Sequence, residues 1–358
     1  MTAPEGALGA PASRMLPVPA LQLLAGLRQI MVPHPANPPK PRCWVLTTGE
    51  AGMRSQALGL AERLGVPFEE KTIRLRQPWS WLPGHLCPAA LTGLDPSRDL
   101  LTPPWPDLLI SCGRRSTAAS IAIHSASEGT TRTVHIQNPL TPVHHFDLVV
   151  SMRHDHLAGE NVVNVDTALH RVTREKLDEA AAQWGPRLRG SENSLIGVVL
   201  GGPTRHYWMS EAFLARLKAI IRGVHEVTGA RVVVTPSRRT EDRVKQALAG
   251  EFQAEPWYWQ WNGSGDNPYF GLLALADRLI VTADSVSMVS EAVASGHPVN
   301  LLPLNGRSRR HDEFASNLDA RGLVSLTGPD GVDLEFQGAG AVDATAYAAE
   351  VVRERLLS

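Results

Sequence analysis

From residue 42 onward, short apolar runs alternate with helix-patterned segments, and this alternation constrains the fold more than any other feature. A strand, a helix and a second strand of one sheet form a crossover, which makes the sheet parallel and covers it with helices. The first block reads as strands at Cys43–Thr47, Lys71–Leu75, Asp107–Ser111, Thr133–Ile136, Asp147–Met152 and Val162–Val165. Gln56, Ala57, Leu60, Ala61 and Leu64 have helical spacing, which Gly65 ends, and Ser116–Ala126 is a small-residue helix. Pro78–Pro106, rich in Pro and Trp, reads as an irregular connection, and Thr173–Trp184 as a well-capped helix. The polar stretch Gly185–Ser194 interrupts the pattern. It restarts with strands at Leu195–Leu200, Arg231–Thr235, Arg278–Thr282 and Val299–Leu304, and helices at Ser210–Val227, after Thr240 as cap, from Asn267-Pro268 to Ala276, and after Asp284. Two such blocks predict two largely parallel sheets.

Sites in sheets of this kind gather beyond the carboxyl ends of the strands. The turns Gly201–Arg205, Ser237–Arg239 and Asp284–Ser287 fall there in the second block. They supply glycine backbone, guanidinium groups and helix starts, a combination suited to a diphosphate. The candidate donor-site residues are Gly201, Gly202, Arg205, Ser237, Arg238, Asp284, Ser285, Ser287 and Glu291. Glu291 lies one helical turn after Ser287, on a helix otherwise small or apolar. A carboxylate there needs a partner, either a pair of sugar hydroxyls or an arginine.

Other chemistries find no support. No strand is followed by Gly-x-Gly-x-x-Gly or by a P-loop, and neither Asp-x-Asp nor a Gly-x-Ser-x-Gly elbow occurs. No metal and no cofactor is expected; His154-Asp155-His156 reads as a polar turn before it reads as a metal site. With 35 basic and 36 acidic side chains and a formal charge of -1, the chain is not patterned as a nucleic-acid binder. Cys43, Cys87 and Cys112 have no zinc or disulfide spacing, which points to a reducing, cytoplasmic setting. No run approaches a membrane span. Residues 1–40 are rich in Ala, Pro and Leu and read as an extension dispensable for folding. Their stripe of Leu21, Leu24, Leu27 and Met31 leaves a peripheral contact with the inner membrane face open. Trp257, Trp259 and Trp261 alternate on one face of an extended segment, either stacking on a ligand or packing between domains.

Thr47–Ala61, Ile110–Ser116, Val134–Pro139 and Thr282–Glu291 together resemble the mitochondrial fission protein family, which includes the plant elongated-mitochondria protein. That family in turn is similar to GT-B glycosyltransferases, in particular the N-acetylglucosaminyltransferase of peptidoglycan synthesis. The resemblance implies two Rossmann-like α/β domains facing a central cleft. Their expected bounds are 41–185 on the acceptor side and 195–322 on the donor side, with 186–194 as linker and 323–358 crossing back. It places Glu291 on the donor ribose, and Gly49, Gly52, Gln56, Gly113, Arg114, Gln137 and Asn138 on the acceptor side. The candidate bases come from position alone, Glu50 in the first glycine loop being preferred over His135, whose strand-end side chain can also point into the core. Two departures matter: many members read Thr-Asp-Gly-Lys where this chain has Thr47-Thr48-Gly49-Glu50, and Ile136 stands where the transferase has Glu. The expected function is sugar transfer from a nucleoside-diphosphate donor to an unidentified acceptor, lipid-linked ones included. The alternatives are an adaptor that recruits a dynamin-like GTPase and a nucleotide-sugar epimerase.

Overall fold

The structure is a computed structural model that describes residues 42–189, 194–328 and 331–357; the expectations for residues 1–40 lie outside the described residues. Two six-stranded sheets, parallel throughout, organise the chain. The first contains β1 (Cys43–Thr47), β2 (Phe68–Thr72), β3 (Leu108–Cys112), β4 (Arg132–Ile136), β5 (Leu148–Met152) and β6 (Val162–Val165), in the order β2-β1-β3-β4-β5-β6. The second is built from β7 (Leu195–Leu200), β9 (Arg231–Pro236), β10 (Tyr258–Gln260), β11 (Arg278–Thr282), β12 (Val299–Leu302) and β14 (Ser325–Leu326), in the order β10-β9-β7-β11-β12-β14. The short strands β8 (Tyr207–Trp208) and β13 (Asn305–Gly306) pair antiparallel beside it. These are two Rossmann-like α/β domains.

The helices are α1 (Ala51–Leu64), α2 (Thr117–Ala126), α3 (Arg174–Leu188), α4 (Glu211–Thr228), α5 (Asp242–Phe252), α6 (Tyr269–Leu275), α7 (Val286–Ala294), α8 (Arg309–Ala320) and α9 (Ala344–Val352). β1, β3 and β5 are buried along their whole length, as strands covered on both faces must be. Ala57, Leu60 and Ala61 of α1 close one face of the first sheet together with Ala348, Ala349 and Val352 of α9. Ile123 of α2 and Leu94 and Leu101 from the Pro-rich connection close the other. The two ends of the chain's second half are exchanged: α9 returns to the first core, while Leu177, Trp184 and Leu188 of α3 join the second. Trp184 sits so close to α6 that a Cβ on Gly271 would lie 2.5 Å from it. This packing carries α3 through Gly185 and Pro186, where the sequence pattern suggests a linker.

β2 lies N-terminal to the expected Lys71–Leu75. Its residues Glu69, Glu70 and Lys71 are charged, which an edge strand tolerates and even favours. Ile73 and Leu75 follow it; the Ile73 N–H donates to the Thr47 carbonyl, 2.9 Å away, and its side chain is buried against the sheet.

Candidate functional site

Each sheet has one topological switch point, where successive connections leave in opposite directions. It lies between β1 and β3 in the first sheet and between β7 and β11 in the second. The loops after β1, β7 and β11 face a cleft of about 830 Å³. Glu50, Gly52, Gln56 and Gln137 line it from the first domain, and Arg205, Asp284, Ser285 and Ser287 from the second. The structure therefore brings these eight expected residues together.

Two helix starts meet in the cleft. Ser285 caps α7, its Oγ accepting from the Met288 N–H at 3.4 Å. Glu50 precedes α1 with extended backbone and makes no side-chain cap, so first-turn N–H groups of α1 remain open to a ligand. The helices approach closely enough that a Cβ on Gly52 would lie 3.0 Å from Ser287 Oγ. Their dipoles both favour an anion between them.

Asp284 organises the second-domain wall. It is buried, accepts from the Gly202 N–H at 3.1 Å, and pairs with Arg239 Nη2 at 2.7 Å. Arg239 Nη1 in turn donates to the Gly202 carbonyl, 2.9 Å away. Gly201 permits this contact, since a Cβ there would lie 2.1 Å from Asp284 Oδ1. Thr240, expected as a cap, instead directs its hydroxyl to the carbonyls of Leu200 and Gly201, and α5 begins at Asp242. Ser237 shapes the same turn, with its N–H 2.9 Å from Thr240 Oγ1 and its Oγ accepting from the Arg239 N–H at 3.2 Å. The turn thereby presents Arg239, not Arg238, to the cleft; Arg238 lines a neighbouring cavity of about 580 Å³ with Gly49 and Ser55.

Glu291 bridges the domains. Its Oε1 accepts from Ser55 Oγ at 3.3 Å and its Oε2 from the Tyr269 hydroxyl at 2.8 Å. Beside it, Ser290 Oγ accepts from the Ala168 N–H at 2.9 Å. Burial pushes the Glu291 carboxyl above its ordinary range, against the lowering effect of these hydrogen bonds. Burial and the Glu291 charge also hold the Tyr269 phenol well above its usual value, so it remains a donor. An acid raised in the folded state contributes fully below its unfolded value and loses that contribution as pH rises through the folded value. Glu291→Gln should therefore gain stability relative to the parent as pH is raised from acid to neutral, as followed by urea denaturation. The same variant should weaken nucleotide binding by about tenfold, one charged hydrogen bond's worth. Parallel pH–stability curves would show that the carboxylate carries no burial cost.

His135 does not reach the cleft. Alternation along β4 turns Val134 and Ile136 to the α1 side and His135 to the other. There its Nδ1 lies 2.8 Å from Ser111 Oγ, and its ring packs on Phe146 with centroids 4.9 Å apart. Burial pushes the imidazole down to about 3, and Nε2 has no partner among the described residues. Gln137, two residues on, adopts φ 78, donates its N–H to Val150 O and lines the cleft. Asn138 instead shapes the next turn, its Oδ1 accepting from the Leu140 N–H at 2.9 Å. Gly113, at φ 86, makes room for Met53, whose Sδ would lie 2.4 Å from an added Cβ. Glu50 is half-exposed, accepts from the Thr48 hydroxyl and stands 3.7 Å from Arg115 Nη1. Both Glu50 and Met53 also line an adjoining first-domain cavity of about 1080 Å³, where Arg114 lies.

The sequence reading missed Arg307, Arg309, Arg310 and His311, which line the cleft around the start of α8. Arg309 has no side-chain partner among the described residues, whereas Arg307 bonds Asp312 at 3.0 Å. Arg310 crosses to the first domain, reaching Asp155 at 2.8 Å and His154 Nε2 at 3.1 Å. That accounts for His154-Asp155 as an interdomain contact; among the described residues no group of three or more His, Cys, Asp or Glu is placed to hold a metal. The three indoles lie on the edge strand β10 and its flanks, not in the cleft. Trp257 stacks on His225 at 4.1 Å, Trp259 lies under Arg187 at 5.2 Å, and Trp261 donates to Ser264 O at 3.0 Å. No helix among the described residues is long and apolar enough to cross a membrane.

The chain is similar to the mitochondrial fission protein ELM1 of Arabidopsis thaliana, 28% identical over 275 residues. That match takes in 70% of this chain and spans 64% of the plant protein's length. Among solved structures, it is similar to UDP-GlcNAc 2-epimerase from Neisseria meningitidis bound to UDP-GlcNAc, with 13% identity and a TM-score of 0.49, covering 88% of this chain and 99% of that one. It is also similar to Acinetobacter baumannii MurG, with 12% identity and a TM-score of 0.47, covering 88% and 92%. The family model described as mitochondrial fission ELM1 matches residues 51–356, and the chain belongs to that family.

Proposed function

We propose that the chain transfers a sugar from a nucleoside-diphosphate donor to a hydroxyl acceptor. The observation that carries this reading is the convergence of Arg205, Arg239 and Arg309 with the starts of α1 and α7 on one cleft that also holds Glu50. The diphosphate lies among the guanidinium groups, which neutralise it as it leaves. Glu50 takes the proton from the acceptor hydroxyl. The acceptor oxygen bonds to the anomeric carbon, the bond from that carbon to the diphosphate oxygen breaks, and its electron pair departs with the diphosphate. Glu291, held at an energetic cost of burial, exchanges the Ser55 or Tyr269 hydroxyl for a ribose hydroxyl.

The family's name favours a second reading, a role in mitochondrial fission, which the resemblance described above would make that of an adaptor recruiting a dynamin-like GTPase. A third, epimerisation, shares the donor site and needs no acceptor. A thermal-shift panel of UDP, GDP, CMP and dTDP sugars tests the shared donor site. A shift with one base supports transfer or epimerisation, and isotope exchange into the free nucleotide sugar then separates these two. No shift across the panel favours the adaptor.

A further inference from the structure

The large first-domain cavity is not absorbed by the donor site. Five arginines reach it: Arg74, Arg76, Arg98, Arg114 and Arg115. Arg74 pairs with Asp95 and Arg115 faces Glu50, but Arg76, Arg98 and Arg114 have no side-chain partner among the described residues. Among the described residues, Glu50 is the only carboxylate in the lining. Guanidinium groups gathered without counter-charge repel one another, and a phosphate relieves that repulsion with bidentate hydrogen bonds. Part of the lining is apolar. Trp79, Trp81 and Leu82 come from the Pro-rich connection, with Trp81 66% and Leu82 40% exposed. Indole surface left open at the rim of a cavity marks a ligand or partner contact more than a packing need. At about 1080 Å³ the space is at the upper end for a small-molecule site.

We propose that this cavity binds a phosphate-bearing amphiphile, its phosphate on Arg76, Arg98 and Arg114 and its apolar chain along Trp79, Trp81 and Leu82. Glu50 and Met53 belong to both cavities, so a hydroxyl of this ligand next to its phosphate lies beside Glu50 and opposite the donor. The assignment of the ligand as acceptor rests on the transfer reading; its binding does not.

The test is calorimetric titration of the full chain, without nucleotide, against decyl phosphate below its micellar concentration, inorganic phosphate and decanol. Decyl phosphate should bind at least about tenfold more tightly than either other probe, since only it uses both the arginines and the apolar side chains. Arg98→Gln and Trp81→Ala, both at exposed positions that leave the core intact, should each weaken decyl phosphate by about tenfold. Added salt should weaken it further, as expected for exposed charges. Equal affinity for inorganic phosphate would reduce the site to a bare anion site, and equal affinity for decanol to an apolar patch; either overturns the proposal. So would binding to phosphatidylglycerol vesicles with none to monomeric decyl phosphate, which points to a membrane surface. If decyl phosphate fails while a nucleoside diphosphate still binds, this proposal falls and the transfer reading stands with another acceptor. If no nucleoside diphosphate binds, the transfer reading falls and the decyl phosphate titration still decides this one.

Discussion

Glu50→Gln should slow sugar transfer in a single turnover by about 10²–10⁴-fold, the usual contribution of a positioned general base. Donor affinity should not change, because Glu50 lies on the first-domain side of the cleft. The fold should survive as well. Glutamine can still accept from the Thr48 hydroxyl, and Glu50 makes no side-chain cap that the change would remove. The lost contact with Arg115 is between exposed groups and is worth about 0–1 kcal/mol. Rapid-quench turnover with the donor at saturation checks this. A variant that turns over at the parent's rate would assign the proton to another group and leave Glu50 as a solvated loop residue.

Gly201→Ala should have the largest effect on the donor wall. The new methyl group would sit 2.1 Å from Asp284 Oδ1 and 2.3 Å from Oδ2, on a strand end with no room to retreat. Overpacking of this kind costs about 1–3 kcal/mol. Relief requires moving Asp284, which breaks its contacts with the Gly202 N–H and Arg239 together. Losing this ion pair's geometry adds to the cost, because the Asp284 carboxylate is buried and would be left without its partner, while Arg239 stays 40% exposed. The expected result is a lower urea midpoint and loss of nucleoside-diphosphate binding in the same variant. Binding retained at full strength would show that the Gly201–Asp284–Arg239 arrangement does not shape the site.

The sheets were legible because strands buried on both faces are continuous apolar runs, as in Leu108–Cys112 and Leu195–Leu200. β2 was displaced in the sequence reading because an edge strand carries charge and so hides its pattern. The lining of the cleft was legible where a residue's place follows from its position past a strand end, as for Arg205, Ser285 and Ser287. It was not legible where a side chain's direction depends on one residue of register. His135 and Gln137 belong to the same strand end, yet one lies in the core and the other in the cleft. Arg238 and Arg239 are neighbours, and only the Ser237–Thr240 hydrogen bonds decide which one faces Asp284. Asp284, Ser285 and Ser287 all suit a helix start in sequence; the cap is Ser285, and the aspartate turns inward. Arg307–His311 was visible as a basic run; that α8 starts in the cleft depends on tertiary packing against the first domain through Arg310.

In the proposed transfer the cleft binds the diphosphate of a nucleotide through guanidinium groups. Arg309 tests it most cleanly, since it has no side-chain partner among the described residues to lose. Titration calorimetry of the parent and Arg309→Ala compares the nucleoside diphosphate that binds best with its matching nucleoside. The expected result is a loss of about tenfold or more for the diphosphate, one charged hydrogen bond, and no change for the nucleoside. Equal losses for both ligands, or no binding of any nucleoside diphosphate by the parent, would contradict it.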